Sequence, residues 1–124
     1  MTEADKKTIL IIDDDPDVVQ FLRESLEDDG YNVVGAQDGD EGLKLKDQLN
    51  PDLVICDLVM PGTGGLQVLT TIRASDKKIP VLILSGQGSQ SEFTLCMQAG
   101  ATDALEKPAE YKLLLYRIES SLGS

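Results

Sequence analysis

The residues of this chain most able to do chemistry are carboxylates, joined by one hydroxyl and one amine. Asp13, Asp14 and Asp15 follow the apolar run TILII, and Asp57 closes the run DLVICD. Ser85 closes PVLILS, and Lys107 follows the segment from Thr102 to Glu106. Clustered carboxylates repel one another, so a fold that gathers them needs compensating charge. A hard divalent cation supplies it: Mg²⁺ (or Mn²⁺) takes oxygen ligands and is typically held by one or two carboxylates and waters. A carboxylate is also a nucleophile toward phosphorus, giving an aspartyl-phosphate. That transfer requires a cation and an amine to neutralise oxygens and little else. On this reading Asp57 is the nucleophile, Asp13 and Asp14 serve the metal, and Lys107 is the fixed positive charge. Ser85 donates a hydrogen bond to the new phosphoryl oxygen.

Such a division of labour requires four separated segments to converge, and the hydrophobic patterning shows how they do. Short apolar runs alternate with amphipathic ones. Thr8 to Ile12 and Asn32 to Ala36 have strand length, while DLVICD and PVLILS lack alternation, as suits parallel strands buried on both faces. A weaker fifth strand covers Thr102 to Glu106. Between them, Val18, Phe21, Leu22 and Leu26 recur at helical spacing up to Gly30, a C′ glycine. Glu41 to Leu49 is a short helix stopped by Asn50-Pro51. Leu66, Leu69 and Ile72 mark a third helix, and Phe93, Cys96, Met97 and Ala99 a fourth, closed by Gly100. Tyr111, Leu114, Leu115, Ile118 and Leu122 mark the last. Five βα units predict an α/β fold with an open parallel sheet and helices on both faces. In such sheets ligands bind at the carboxyl ends of the strands, where Asp13, Asp14, Asp57, Ser85 and Lys107 all fall.

Composition narrows the function classes. The 124 residues suit one domain, 1–124 with a core from about 8 to 122, large enough to bury its own apolar surface. A net charge of −11 opposes direct binding to nucleic acid or to an anionic membrane. Aromatics are 4% with no Trp, so base-stacking platforms are not expected. Cys56 and Cys96 lie in apolar surroundings without metal-ligand spacing and read as reduced core residues. No run has the length of a membrane span, and MTEADKK contains no apolar h-region, so a cytoplasmic location is expected.

Plainer roles account for several acids. Asp15 precedes Pro16 at a helix start and reads as its N-cap, with Asp17 suited to the helix dipole. Asp13, Asp15, Asp17 and Glu24 match four positions of an EF-hand loop, but Val18 stands where its sharp turn needs Gly and the preceding segment reads as strand. A haloacid-dehalogenase-like phosphatase pattern is half met, and a flavodoxin's phosphate loop is replaced by the anion-repelling DDDPD. Neither a Walker A nor a GxGxxG pattern occurs.

The combination ILIIDDDP, VICDLVMPG, VLILSG and EKP, in this order and spacing from about Thr8 to about Leu122, resembles the receiver domain of two-component response regulators, the CheY-like family. The resemblance implies a flavodoxin-like fold with strand order 2-1-3-4-5. It implies Asp57 as phosphoacceptor and Mg²⁺ held by Asp14, Asp57 and the backbone carbonyl of Val59, with Asp13 acting directly or through water. Ser85 and Lys107 are implied as phosphoryl contacts, and a cis peptide before Pro108. The donor implied is a phosphohistidine on a histidine kinase or histidine phosphotransfer protein. The chain contains no His, so the donor is another protein or a small acyl phosphate. Such a domain assists its own phosphorylation and dephosphorylation and is not an enzyme acting on other substrates.

Three positions depart from the family pattern. Ala104 stands where an aromatic residue usually reports phosphorylation, Ala109 where Phe commonly follows Lys-Pro, and Gly64 where an acidic or amide residue usually precedes Gly65. Signalling is therefore expected to rely on Ser85 and the loop from Gly86 to Gln90. The downstream effector or output domain is not legible. A stand-alone regulator, a phosphorelay intermediate and a receiver cut from a longer protein all remain open.

Overall fold

A computed structural model of the chain describes residues 5–123. The first four residues, part of the MTEADKK segment, lie outside the described residues. The elements are β1 (Thr8–Ile12), α1 (Pro16–Asp28), β2 (Asn32–Ala36), α2 (Gly39–Leu49), β3 (Leu53–Cys56), α3 (Gly65–Ser75), β4 (Val81–Ser85), α4 (Gln90–Gln98), β5 (Asp103–Glu106) and α5 (Tyr111–Ser121). All strand pairs are parallel and the order is β2-β1-β3-β4-β5, as the receiver resemblance implied.

The unbroken apolar runs are explained by burial on both faces. In β1, Ile9 and Ile11 point into a core shared with Leu22 and Leu26 of α1 and Leu114 and Ile118 of α5. Leu10 and Ile12 point to the opposite face, where Ile12 lies under Gly42 of α2, into the core that also holds Val68, Leu69 and Ile72 of α3 and Phe93 and Cys96 of α4. Each of these four β1 side chains is at most 1% exposed, a burial worth roughly 1.5–3 kcal/mol apiece. Polar alternation is impossible in a strand with no solvent face.

Local signals set the helix limits. Asp15 caps α1, its carboxylate accepting the Asp17 N–H at 2.9 Å, with Pro16 in the first turn. Gly30, at φ 97°, takes the left-handed position that ends α1. Asn50 ends α2 in the same region, φ 47°. The sequence pattern placed the start of α2 at Glu41; it lies at Gly39, because Asp38 caps the helix by accepting the Glu41 N–H at 2.7 Å. Three helical stripes are narrower than the spacing predicts. Phe21 is 56% exposed, Met97 46% and Leu66 36%, while the buried apolar side chains of their helices are Leu22 and Leu26, Phe93 and Cys96, and Val68, Leu69 and Ile72. Cys56 and Cys96 are buried and unpaired by disulfide, as expected.

Candidate functional site

Parallel pairing carries the chain ends of the central strands to one rim, and the ladder continues just beyond them. The Asp57 N–H donates to the Ile12 carbonyl at 2.9 Å, and the Asp13 N–H to the Ala36 carbonyl at 3.0 Å. The Lys107 N–H donates to the Ser85 carbonyl at 3.0 Å. Backbone hydrogen bonds thus fix the acid-bearing and amine-bearing positions before any side-chain contact forms. From the far side, α3 presses its first turn on the backbone of Asp57. A Cβ at Gly65 would stand 2.3 Å from the Asp57 carbonyl oxygen, an approach open only to glycine.

On this scaffold Asp13, Asp14 and Asp57 each bring a carboxylate oxygen within 4.8 Å of the other two. Asp13 and Asp57 are buried and Asp14 is exposed. The Lys107 ammonium donates to Asp13 Oδ2 at 2.7 Å and lies 3.5 Å from Asp57 Oδ2. Asp13 Oδ1 accepts the Asp15 N–H at 2.9 Å. These groups line a cleft of about 540 Å³ together with Asp15, Val59, Met60, Pro61 and Gln87.

The electrostatics follow from burial and charge. Desolvation raises the Asp13 pKa, and its hydrogen bonds and ion pair with Lys107 offset this only in part. Burial also disfavours the Lys107 ammonium, but the hydrogen bond and charge of Asp13, with Asp57, outweigh it and hold the lysine pKa above its ordinary value. The amine is therefore a permanent cation at neutral pH. Burial, reinforced by Asp57 and Asp13, pushes the Cys56 thiol upward, so Cys56 stays protonated beside the site. Its thiol donates to the Asp57 carbonyl at 3.3 Å.

The donor set suits a hard divalent cation. It consists of oxygens alone, two carboxylates are shielded from solvent, and the third faces water. The oxygens that Asp13 commits to Lys107 and Asp15 each retain a lone pair.

Of the residues singled out from the sequence, the structure brings Asp13, Asp14, Asp57 and Lys107 together. Val59 lines the same cleft and is 42% exposed, an apolar side chain at an acidic mouth. Ser85 does not line the cleft: it is 1% exposed, and its Oγ accepts the Gln87 N–H at 3.3 Å. Asp15 caps α1 and borders the cleft as well. The peptide before Pro108 is cis. Three features escaped the sequence reading: the ion pair of Lys107 with Asp13, the backbone N–H of Asp15 on Asp13, and the place of Pro61 in the cleft wall. The first joins residues 94 positions apart, and no local pattern announces such a pair.

Known proteins resemble this chain throughout its described length. A family model for the response regulator receiver domain matches residues 9–119. Response regulator MprA of Mycobacterium sp. strain KMS is 41% identical over 114 residues, 92% of this chain and 50% of that protein. Transcriptional regulatory protein PrrA of Mycobacterium tuberculosis is 36% identical over 114 residues, again 92% of this chain and 49% of that protein. The chain thus spans about half the length of these curated relatives. Among solved structures, a response regulator from Chloroflexus aurantiacus superimposes with a TM-score of 0.90 at 36% identity, covering 96% of this chain and 99% of that one. The receiver domain of Klebsiella pneumoniae RstA, described as BeF₃-activated, gives 0.90 at 26% identity over 95% of this chain and 100% of that one.

Proposed function

The chain belongs to the response regulator receiver domain family of two-component systems, and from that premise we propose that it accepts a phosphoryl group on Asp57 in a Mg²⁺-dependent reaction and thereby switches partner binding. The observation that carries this reading is the position of Asp57. Its carboxylate lies among two further carboxylates and within ion-pair reach of Lys107, at the carboxyl ends of the strands.

Asp57 attacks phosphorus through a carboxylate oxygen. The new bond is P–O to Asp57, and the bond that breaks joins phosphorus to the donor's imidazole nitrogen or acyl oxygen. Lys107 stands where charge builds on the phosphoryl oxygens and is already positioned by Asp13, so no reorganisation is needed at that moment. Ser85 Oγ accepts the Gln87 N–H, which leaves its own O–H to donate a hydrogen bond to a phosphoryl oxygen. Asp13, Asp14 and Asp57, with the backbone carbonyl of Val59 that the family resemblance implies, would hold Mg²⁺ or Mn²⁺, and the ion would neutralise the carboxylates and the incoming oxygens. Water attack on the aspartyl-phosphate returns the free carboxylate and inorganic phosphate. The domain thus assists its own modification and is not an enzyme toward other substrates. The donor is a histidine kinase or histidine phosphotransfer protein, the recipient of the signal an effector or output domain, and the setting cytoplasmic.

Intact mass after incubation with acetyl phosphate and Mg²⁺ tests the reading. A single phosphoryl adduct is expected in the wild type and none in Asp57→Asn or without Mg²⁺. Absence of an adduct, together with no rise in melting temperature under Mg²⁺ and beryllofluoride, would overturn it in favour of a receiver fold that docks partners unphosphorylated.

A further inference from the structure

One wall of the Asp57 cleft is loop, not strand. The segment from Leu58 to Gly64 leads from Asp57 to α3, and its Val59, Met60 and Pro61 line the cleft. The Val59 N–H reaches Asp57 Oδ1 at 3.5 Å, so the loop touches the Asp57 carboxylate itself. A contact of that length stands at the limit of hydrogen bonding, and a small displacement of the loop breaks it.

The loop's own chain does little to hold it there. Its return limb reads Pro61-Gly62-Thr63-Gly64-Gly65, so Thr63 is the only residue between Pro61 and Leu66 with a side chain. Gly62 sits at φ 75°, a conformation that glycine adopts readily. Gly64 is the N-cap of α3 and offers its first turn no side-chain hydrogen bond, so no cap ties loop to helix. The Gly65 N–H on the Leu58 carbonyl, at 2.9 Å, closes the two ends and leaves the residues between them to other contacts.

Thr63 supplies the missing tie, to α2 instead of α3. Its Oγ1 donates to Asp40 Oδ1 at 2.8 Å, joining residues 23 positions apart. Beside that bond α2 meets the loop backbone: a Cβ at Gly39 would stand 2.6 Å from the Thr63 carbonyl oxygen and 3.0 Å from Thr63 Cβ. The helix is firmly seated on the sheet, since a Cβ at Gly42 would stand 2.4 Å from Cδ1 of Ile12, the residue before Asp13. The tether thus runs from the strand beneath the cleft, through α2, back to the loop. A hydrogen bond between exposed side chains adds little to folding stability, so its effect lies in where the loop stands.

We infer that Thr63 and Asp40 are positioning residues for the Asp57 site: their hydrogen bond holds the loop against α2, and with it the Val59 backbone and the cleft wall beside the carboxylates. Neither residue lines the cleft, and both act through the loop. The inference rests on the reading of Asp57 as a metal-assisted phospho-acceptor.

The test measures Mg²⁺ affinity by calorimetric titration and the Val59 amide resonance by NMR in isotope-labelled protein. The variants are Thr63→Val, Thr63→Ser, Asp40→Ala and the combination of Thr63→Val with Asp40→Ala. Thr63→Val changes no charge and removes only the donor. Loss of a group bonded directly to a metal ligand weakens binding about 10- to 100-fold, and a tether one step further out should weaken Mg²⁺ by about three- to ten-fold. The Val59 amide should shift with it, while the melting temperature stays within about 3 °C of wild type. Thr63→Ser keeps the hydroxyl and should restore both readings. Made in the Asp40→Ala background, Thr63→Val should change neither, because the bond is already gone. Wild-type affinity and an unmoved Val59 amide in Thr63→Val overturn the positioning role alone, as does a Thr63→Ser that behaves like Thr63→Val or an undiminished effect in the Asp40→Ala background. A wild type that binds no Mg²⁺ and takes no phosphoryl group from acetyl phosphate overturns the acceptor reading and this inference with it.

Discussion

Replacing Gly65 by alanine should destabilise this domain although the same change strengthens most helices. In an exposed helix interior Gly→Ala gains up to about 1 kcal/mol from propensity and reduced unfolded-state freedom. Here the added Cβ would lie 2.3 Å from the Asp57 carbonyl oxygen, 2.7 Å from Leu58 Cα and 3.0 Å from the Asp57 carbonyl carbon. Ordinary contacts of this kind are near 3.5 Å, so the overlap is about 1 Å. All three neighbours are backbone, and no rotamer change relieves them. Overpacking of this sort costs about 3 kcal/mol, leaving a net loss of about 2 kcal/mol after the propensity gain. The adjacent Gly64→Ala is the control. Its Cβ would meet a single atom, the Leu58 carbonyl oxygen, at 3.3 Å, and its cost should stay below about 1 kcal/mol. With a urea m-value of about 2 kcal/mol/M, the Gly65→Ala midpoint should drop by about 1 M and that of Gly64→Ala by less than half as much. Far-ultraviolet circular dichroism is the suitable probe, as the chain has no Trp. Because the displaced atoms are the backbone of Asp57, the proposed acceptor, adduct formation with acetyl phosphate should slow in Gly65→Ala alone. Equal midpoints for the two variants, or a Gly65→Ala midpoint above wild type, would refute the packing argument.

Three further outcomes are expected. Asp76 accepts the Lys78 and Ile79 N–H groups and pairs with the buried Lys46 at 3.1 Å, which together lower its pKa to about 2. A displacement of that size is worth about 2 kcal/mol, and screening at a carboxylate 32% exposed reduces it to about 1 kcal/mol. A carboxylate depressed in the folded state stabilises above its unfolded pKa of about 3.9 and loses that effect as pH falls toward 2. The gap in unfolding free energy between wild type and Asp76→Asn should therefore be about 1 kcal/mol at pH 7 and close between about pH 5 and pH 2; a gap independent of pH contradicts this. Asp57→Asn removes repulsion from Asp13 and Asp14, so without divalent cation its melting temperature should exceed that of wild type by roughly 2–4 °C. Mg²⁺ at ten times its Kd should stabilise wild type by about 1.4 kcal/mol and this variant by much less, a difference that calorimetric melting reads directly. Finally, Lys107→Met should cost about 1–3 kcal/mol by stranding the buried Asp13 carboxylate, and Asp13→Asn in the same chain should recover most of the loss. A double-mutant cycle with no coupling would show that the 2.7 Å contact is energetically idle.

What sequence alone determined was whatever depends on near neighbours. The period of the apolar residues sets strand against helix. Asp15 before Pro16, and Gly30 after the last turn, set the ends of α1, because a cap satisfies backbone groups only a few residues away. The rim that carries the carboxylates and the lysine was legible for a related reason: a residue at the end of a buried strand or just after it must lie at the sheet's carboxyl edge, so Asp13, Asp57, Ser85 and Lys107 are located once the strands are.

What only the tertiary structure decided is how these residues meet. Nothing local pairs Lys107 with Asp13 across 94 positions, or turns Ser85 away from the cleft to accept the Gln87 N–H. Helical periodicity marked Phe21 and Met97 as core, whereas the angle at which α1 and α4 lie on the sheet leaves both exposed. The groove between α4 and β5, lined by Phe93 and Met97 on one side and Ala104 and Glu106 on the other, belongs to neither element alone. Contacts of this kind are set by the mutual placement of whole elements, a property that no window of sequence contains.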